Sequence, residues 1–102
     1  MGDGQSAAPS EMRRIVWSDQ AREDLIGIGQ YIAGFSPRAA RQVAAGLIDL
    51  SGSLDEFSDR GRPLRPGVRE LTTFKPYIIR YAIHETEVWI ITLRHSARRR
   101  QL

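Results

Sequence analysis

The chain contains no cysteine, and lysine occurs only once among its 102 residues. Without cysteine, disulfide bonds and thiolate metal sites are both excluded. No apolar run approaches the roughly 20 residues that a membrane-spanning helix requires, and nothing before Met12 has the apolar core of a signal peptide. These absences predict a cytoplasmic protein that needs no cofactor or metal and does not associate with a membrane.

Positive charge is concentrated in the second part of the chain and is carried almost entirely by arginine. Residues 1–59 contain five basic and nine acidic side chains, whereas residues 60–102 contain ten basic and three acidic ones. The net charge therefore changes from −4 to +7, and 14 of the 15 basic residues are arginine. The forked guanidinium group suits carboxylates and phosphates, which indicates an anionic partner, either nucleic acid or an acidic protein. A solvated surface that balances the acidic part explains the charges equally well.

Two amphipathic helices joined by a short turn are predicted after a short β-like run at 14–17. Ser18 is a good N-cap for the first helix, which we expect to end at Gly34. Ser36 and Pro37 are suited to begin the second. Apolar side chains repeat at spacings of three and four, and we expect them in the core: Ala21, Leu25, Ile28, Ile32 and Phe35, then Ala40, Val43, Leu47, Leu50, Leu54 and Phe57.

Three glycines fall inside these predicted helices, where glycine is unfavourable. They are Gly27, Gly29 and Gly46. A close crossing of the two helices would explain them. We also expect both tryptophans, Trp17 and Trp89, to lie in the core.

The apolar period changes to two after a loop at 60–67 that is rich in glycine and proline. Strands are predicted at 68–73, 77–83 and 88–94, and their short connections favour an antiparallel meander. The order β-α-α-β-β-β predicts an α+β domain in which a helical hairpin packs on an antiparallel sheet. We place this single domain at 13–98, between a flexible lead at 1–12 and a basic tail at 99–102.

Three local strings carry a resemblance to a known family. IVWS at 15–18, leading into the first helix, is similar to that family's opening strand and helix. GVREL at 67–71 and YIIRY at 77–81 resemble its glycine–arginine–glutamate strand and the arginine–tyrosine strand that follows. VWIITLRHSAR at 88–98 resembles its last strand, which ends near a histidine. The family is the RelE/ParE superfamily of toxins, and the ending is closer to its ParE-like members.

This resemblance implies the toxin component of a type II toxin–antitoxin system. The partner it implies is a cognate antitoxin, ParD-like or another small DNA-binding antitoxin. Two kinds of target are known in the superfamily. ParE-like members poison DNA gyrase, whereas RelE-like members enter the ribosome and cut messenger RNA. The common fold does not choose between them, so the choice depends on the site.

Cleavage of RNA through its 2′-hydroxyl requires a base, an acid and cations that stabilise the phosphorane. The catalytic candidates are His95, Arg80, Arg69 and Arg94, with His84, Glu70, Tyr81 and Lys75 as further titratable groups. The candidates for contact with the target or the antitoxin are Arg69, Arg80, Arg94, Arg98 and Arg99.

The sequence departs from the RelE-like nucleases at these positions. Such nucleases show a lysine cluster or a glutamate before the meander, an arginine that opens the middle strand, and a terminal tyrosine or histidine. Here Tyr77 and Ile78 open the middle strand, and Arg94 is followed by His95 and two small residues. These departures favour a gyrase poison over a ribosome-dependent mRNA endoribonuclease.

Each candidate residue also has a simpler interpretation. His95 can cap the strand end through an ordinary hydrogen bond, and His84 is typical of a turn. Arg80 and Glu70 can pair across the sheet, which contributes under roughly 1 kcal/mol if the pair is exposed. The run from Arg98 to Arg100 can be a solvated tail. A non-toxic basic binding module or a scaffold for one partner is therefore a further alternative, although no ribonucleoprotein motif, zinc pattern or recognition helix is present.

Overall fold

The computed structural model describes residues 12–98, except for the side chain of Arg98. The elements in chain order are β1 (Arg14–Trp17), α1 (Asp19–Ala33), α2 (Pro37–Gly52), β2 (Arg62–Arg65), β3 (Val68–Leu71), β4 (Tyr77–Ile83) and β5 (Glu87–His95). Single turns of 3₁₀ helix follow α2 at Ser53–Asp55 and β5 at Ser96–Arg98. The flexible lead and the basic tail expected from the sequence lie outside the described residues, apart from Met12.

Serine caps begin both helices, as the sequence predicts. The Ser18 hydroxyl accepts a hydrogen bond from the Ala21 N–H at 3.0 Å, and the Ser36 hydroxyl accepts one from the Ala39 N–H at 3.1 Å. Each bond satisfies a backbone donor that has no partner within the helix. The two helices form the expected hairpin and cover one face of the sheet.

The core lies between this hairpin and the sheet. Its buried side chains are Ala21, Ile28, Leu47 and Leu54 from the helical region and Leu71, Tyr77, Ile79, Tyr81, Val88, Ile90 and Leu93 from the strands. The helical spacing therefore predicted the buried face correctly over most of its length. It was wrong at Phe35 and Phe57, which are 77% and 52% exposed. Both follow the end of their helix, so the helical phase that would bury them does not continue.

The sheet has five strands in the order β1-β5-β4-β3-β2. The α+β class and the antiparallel meander of β3, β4 and β5 are confirmed. The sheet as a whole is mixed rather than antiparallel, because β1 pairs in parallel with β5 at one edge. The predicted loop at 60–67 contains the additional strand β2, which pairs with β3 at the other edge. The four side chains of β2 are all exposed, so this strand has no apolar alternation by which it could be recognised.

The glycines do not mark a close helix crossing, which corrects the sequence prediction. A Cβ atom at Gly27 or Gly29 would meet no other atom within 4 Å, whereas one at Gly46 would overlap the ring of Phe74. Gly46 therefore makes room for the connection between β3 and β4. Trp17 packs against the core as expected, but Trp89 is 37% exposed.

Alternation along the strands separates the two faces of the sheet. Tyr77, Ile79 and Tyr81 of β4 point towards the helices, and we call this side the helix face. Arg80 lies between them in sequence and points to the opposite side, which we call the open face. The exposed Trp89 shares the open face because it pairs with Ala82.

Candidate functional site

Four neighbouring strands place polar side chains in one row across the open face. The backbone register pairs Arg62 with Glu70, Glu70 with Arg80, and Arg80 with Thr92. Paired residues in adjacent strands present their side chains on the same face. Arg94, two residues after Thr92 on β5, shares that face. The row therefore brings three arginines around one glutamate.

The Glu70 carboxylate, only 4% exposed, is the centre of this group. Its Oε2 accepts hydrogen bonds from Nε and Nη2 of Arg80 at 3.0 and 2.7 Å. Its Oε1 accepts one from Nη2 of Arg62 at 3.4 Å, and Nη2 of Arg94 lies 3.6 Å from Oε2. We call Arg62, Arg80 and Arg94 the arginine cluster. The pairing of Arg80 with Glu70 expected from the sequence is confirmed, but the carboxylate is buried and shared.

The arginine cluster fixes the charge of Glu70. Burial by itself would raise the pKa of Glu70, but the hydrogen bond and charge of Arg80, helped by Arg62 and Arg94, hold it below its ordinary value. Glu70 is therefore an anion at neutral pH and a weak proton acceptor. Glu70 neutralises one of the three guanidinium charges, so the cluster together with Glu70 has a net charge of +2.

Part of the cluster is accessible and incompletely paired. The side chains of Arg80 and Arg94 are 27% and 31% exposed. Among the described residues, Nε of Arg94 and Oγ1 of Thr92 are buried polar atoms without a hydrogen-bond partner. Arginine forms its strongest contacts with carboxylates and phosphates when two donors act together. The exposed parts of Arg80 and Arg94 can therefore contact a second anion beside Glu70.

An aromatic surface adjoins the arginine cluster. Trp89 lies between Val16 of β1 and Ala82 of β4 in the register of the sheet. Its indole N–H donates to Oε1 of Glu87 at 2.9 Å, and Glu87 also forms an ion pair with Arg14. This pairing lowers the pKa of the Glu87 carboxyl below its ordinary value. The open face thus combines positive charge with an oriented, partly exposed tryptophan.

His95 lies on the other face of the sheet. It is paired with Tyr77 in the register, and the two rings meet edge to face with their centres 5.4 Å apart. Its Nδ1 accepts a hydrogen bond from the Ala97 N–H at 3.1 Å. This is the strand-end cap that the sequence allowed as the simpler interpretation. His95 therefore takes no part in the contacts of the arginine cluster with Glu70.

A groove of about 470 Å³ runs between α1 and the end of β5 on the helix face. It is lined by His95, its neighbour Arg94, Tyr31 and two carboxylates, Glu23 and Asp24. The Asp24 carboxylate accepts a hydrogen bond from the Leu93 N–H at 3.0 Å. This bond caps β5 beyond the stretch that pairs with β1. The groove thus places two carboxylates near Arg94 and His95, whereas the open face gathers three arginines around Glu70.

The remaining candidates are dispersed. Arg69 pairs with Tyr81 on the helix face and donates to the carbonyls of Gly61 and Asp59. His84 lies at the connection between β4 and β5, as expected for a turn. Arg98 is described only in its backbone, and Arg99 lies outside the described residues. Of the four catalytic candidates, Arg80 and Arg94 meet at Glu70, and Arg94 also lines the groove with His95. The sequence analysis missed Arg62 because its strand has no apolar pattern.

Neither a metal nor a membrane segment is indicated by the part of the chain that the structure describes. Within residues 12–98, no three histidine, aspartate or glutamate side chains are grouped so that they could hold a metal ion. No helix in this range is long and apolar enough to cross a bilayer.

Comparison with known proteins gives consistent matches over most of the chain. The profile of the family described as "ParE toxin of type II toxin-antitoxin system, parDE" matches residues 15–100. The chain is 41% identical over 87 residues to Toxin RelE2 of Caulobacter vibrioides, covering 85% of this chain and 99% of that protein. It is 38% identical over 86 residues to Putative toxin Y4kP of Sinorhizobium fredii, covering 82% and 88% of the two chains.

Two solved structures share the fold. One belongs to the chromosomal ParDE toxin–antitoxin system from P. aeruginosa, with a TM-score of 0.71 at 23% identity over 84% of this chain and 98% of that one. The other belongs to the toxin–antitoxin complex RelBE2 from Mycobacterium tuberculosis, with a TM-score of 0.58 at 24% identity over 81% and 90%. The helical hairpin on a mixed sheet is thus the fold of the RelE/ParE toxins. Together with the profile match, this shows that the chain belongs to the ParE family of type II toxin–antitoxin toxins.

Proposed function

We propose that this toxin poisons DNA gyrase through its open face and that a cognate antitoxin neutralises it by covering the arginine cluster. The observation that carries the proposal is that the His95 ring contacts Tyr77 on the helix face, away from the Glu70 carboxylate that the arginine cluster shares on the open face. The strand residues of the open face include no histidine, lysine or tyrosine. Of their two carboxylates, Glu70 and Glu87, each is held in ion pairs with arginine.

This arrangement suits binding better than RNA cleavage. Each general acid or base contributes roughly 100- to 10,000-fold to such a reaction, and the open face provides neither in usable form. Three guanidinium groups beside a tryptophan can nevertheless bind an acidic or phosphate-bearing surface tightly. A poison needs only such binding, because gyrase itself performs the cleavage and resealing of DNA.

The chemistry of the open face also supports an acidic antitoxin segment as the partner. The arginine cluster accepts carboxylates, and the exposed part of Trp89 offers apolar contact next to them. A disordered acidic tail that folds on binding would cover both features with few residues. The place of action would be the cytoplasm, where gyrase works.

A gyrase assay with purified components tests the proposal. We expect the toxin to inhibit supercoiling or to trap cleaved DNA in a reaction that contains no ribosomes, and to leave mRNA on translating ribosomes intact. His95→Ala should retain gyrase inhibition, because His95 lies away from the open face. Arg94→Gln should weaken it, and Arg22→Gln, which changes an exposed arginine of α1, serves as the control.

The alternative function, ribosome-dependent mRNA cleavage, is supported by the groove on the helix face. His95 and Tyr31 lie there with Glu23 and Asp24, so acid and base groups are close together. Codon-specific mRNA cleavage that disappears in His95→Ala, with gyrase unaffected, would replace gyrase poisoning by this activity.

A further inference from the structure

We propose that Arg69 and Tyr81 are positioning residues that hold Arg62 in the arginine cluster. They act through residues 58–61, which we call the latch segment and which lead directly into β2. The inference deepens the proposed function, since it rests on the arginine cluster being the surface that contacts gyrase or the antitoxin.

Tyr81 attaches the latch segment at two points. The side chain is fully buried, and its hydroxyl accepts a hydrogen bond from the Gly61 N–H at 2.8 Å. The same hydroxyl donates to the Ser58 carbonyl at 2.7 Å. One phenol group therefore holds both ends of the latch segment against β4.

Arg69 attaches the same segment at two further points. Its Nη1 donates to the Gly61 carbonyl at 2.5 Å and to the Asp59 carbonyl at 3.2 Å. Arg69 is paired with Tyr81 in the register of the sheet, so the two side chains act from neighbouring strands. Its guanidinium binds the chain's own backbone on the helix face, on the side of the sheet opposite to the arginine cluster.

The latch segment also passes very close to the sheet. A Cβ atom at Gly61 would lie 2.7 Å from the Glu70 carbonyl oxygen and 2.7 Å from the Tyr81 hydroxyl. Glycine is therefore required here by space. The close approach places the next residue, Arg62, beside Glu70.

β2 has little else to hold it in place. All four of its side chains are exposed, Pro63 has no backbone N–H, and its pairing with β3 shifts register between Pro63 and Arg65. The position of Arg62 consequently depends on the segment before it. Neighbouring residues of a strand point to opposite faces. Arg69 and Tyr81 therefore hold the latch segment on the helix face. Arg62 contacts Glu70 on the open face.

The first test follows Glu70 by NMR titration of its side-chain carboxyl carbon. Arg62 is one of the groups that lower the pKa of Glu70, so Arg62→Gln should raise this pKa. We expect Tyr81→Phe, which removes only the hydroxyl, to raise it by the same amount and to speed hydrogen exchange of the Gly61 amide about three- to tenfold. Tyr77→Phe is the matched control, a buried tyrosine on the same strand, and should change neither quantity. A folded Tyr81→Phe protein with an unchanged Glu70 pKa would overturn the proposal.

The second test combines the variants in the supercoiling assay. We expect Arg62→Gln and Tyr81→Phe each to raise the toxin concentration for half-inhibition about three- to tenfold, and the double variant to raise it no further. Independent, multiplying effects would show that Tyr81 does not act through Arg62. Should Tyr81→Phe fail to fold, Arg69→Gln on β3 gives the same readouts. If the wild-type toxin leaves gyrase unaffected, the proposed function fails, and the Glu70 titration still decides the role of the latch segment.

Discussion

The helix face and the open face of the sheet carry opposite chemistry on the same strands. On β4, Ile79 and Tyr81 are fully buried under the helices, whereas Arg80 between them holds a glutamate on the other side. The helix face is stabilised by apolar burial, which depends on area and shape. The open face is organised by charge, which leaves two positive charges unbalanced. The comparison shows how a domain of about a hundred residues separates folding from binding: alternate residues of one strand perform each task.

The largest effect on stability is expected from a substitution that removes buried side-chain atoms on the helix face. Ile79→Ala should lower the free energy of unfolding by about 2–5 kcal/mol, because it leaves a cavity among fully buried side chains. Ile78→Ala, one residue earlier and on the half-buried open face, should cost less than half as much. Urea unfolding of both variants measures the difference. Equal losses would mean that the two faces do not differ in their contribution to stability.

The next effect concerns the buried carboxylate of the open face. Glu70→Gln should lower the free energy of unfolding by about 1–3 kcal/mol at neutral pH, because three arginines lose their shared anion. Folding lowers the pKa of Glu70, so its contribution is present above the ordinary value of 4.5 and is lost as the pH falls through the lowered value. The stabilities of wild type and variant, measured by unfolding between neutral pH and strong acid, should therefore begin to converge below pH 4.5 and meet below the lowered pKa. A constant difference across that range would contradict the assignment.

A smaller effect is expected in binding rather than in stability. Arg94→Gln should weaken binding of the cognate antitoxin about tenfold, because Arg94 is partly exposed and is the cluster member with the longest contact to Glu70. Arg22→Gln on α1 should change the affinity less than about twofold. Titration calorimetry at two salt concentrations provides the measurement. Equal affinities of the Arg94 variant and wild type would place the antitoxin elsewhere.

The smallest effect on stability is expected from replacing glycines within the two helices. Gly29→Ala should raise the free energy of unfolding by up to about 1 kcal/mol, because alanine favours a helix and its methyl group meets no atom within 4 Å. Gly46→Ala should instead destabilise the fold, since its methyl group would overlap Phe74. Thermal unfolding separates the two. A stabilised Gly46 variant would show that Phe74 moves aside freely.

Only part of the candidate site was accessible to sequence reasoning. The period of two on β4 and the order of the strands were enough to pair Arg80 with Glu70. The period of two could not predict that Arg62 joins them, because the side chains of β2 are all exposed and show no apolar alternation. This strand is recognised only by its pairing with β3. Nor could the period assign His95 to a face of the sheet, because the predicted strand ended at 94, whereas β5 continues to His95. The pairing of His95 with Tyr77 places it on the helix face.

Local patterns by themselves determined the helices, their serine caps, the meander and most of the core side chains. These features depend on contacts between residues a few positions apart, or on burial of one face of an element, and both leave a periodic trace in the sequence. Tertiary structure alone decided that β1 lies parallel to β5, that Arg62 joins Glu70 and that Arg69 serves the latch segment. These features depend on contacts between residues far apart in the chain, which leave no periodic pattern in the local sequence.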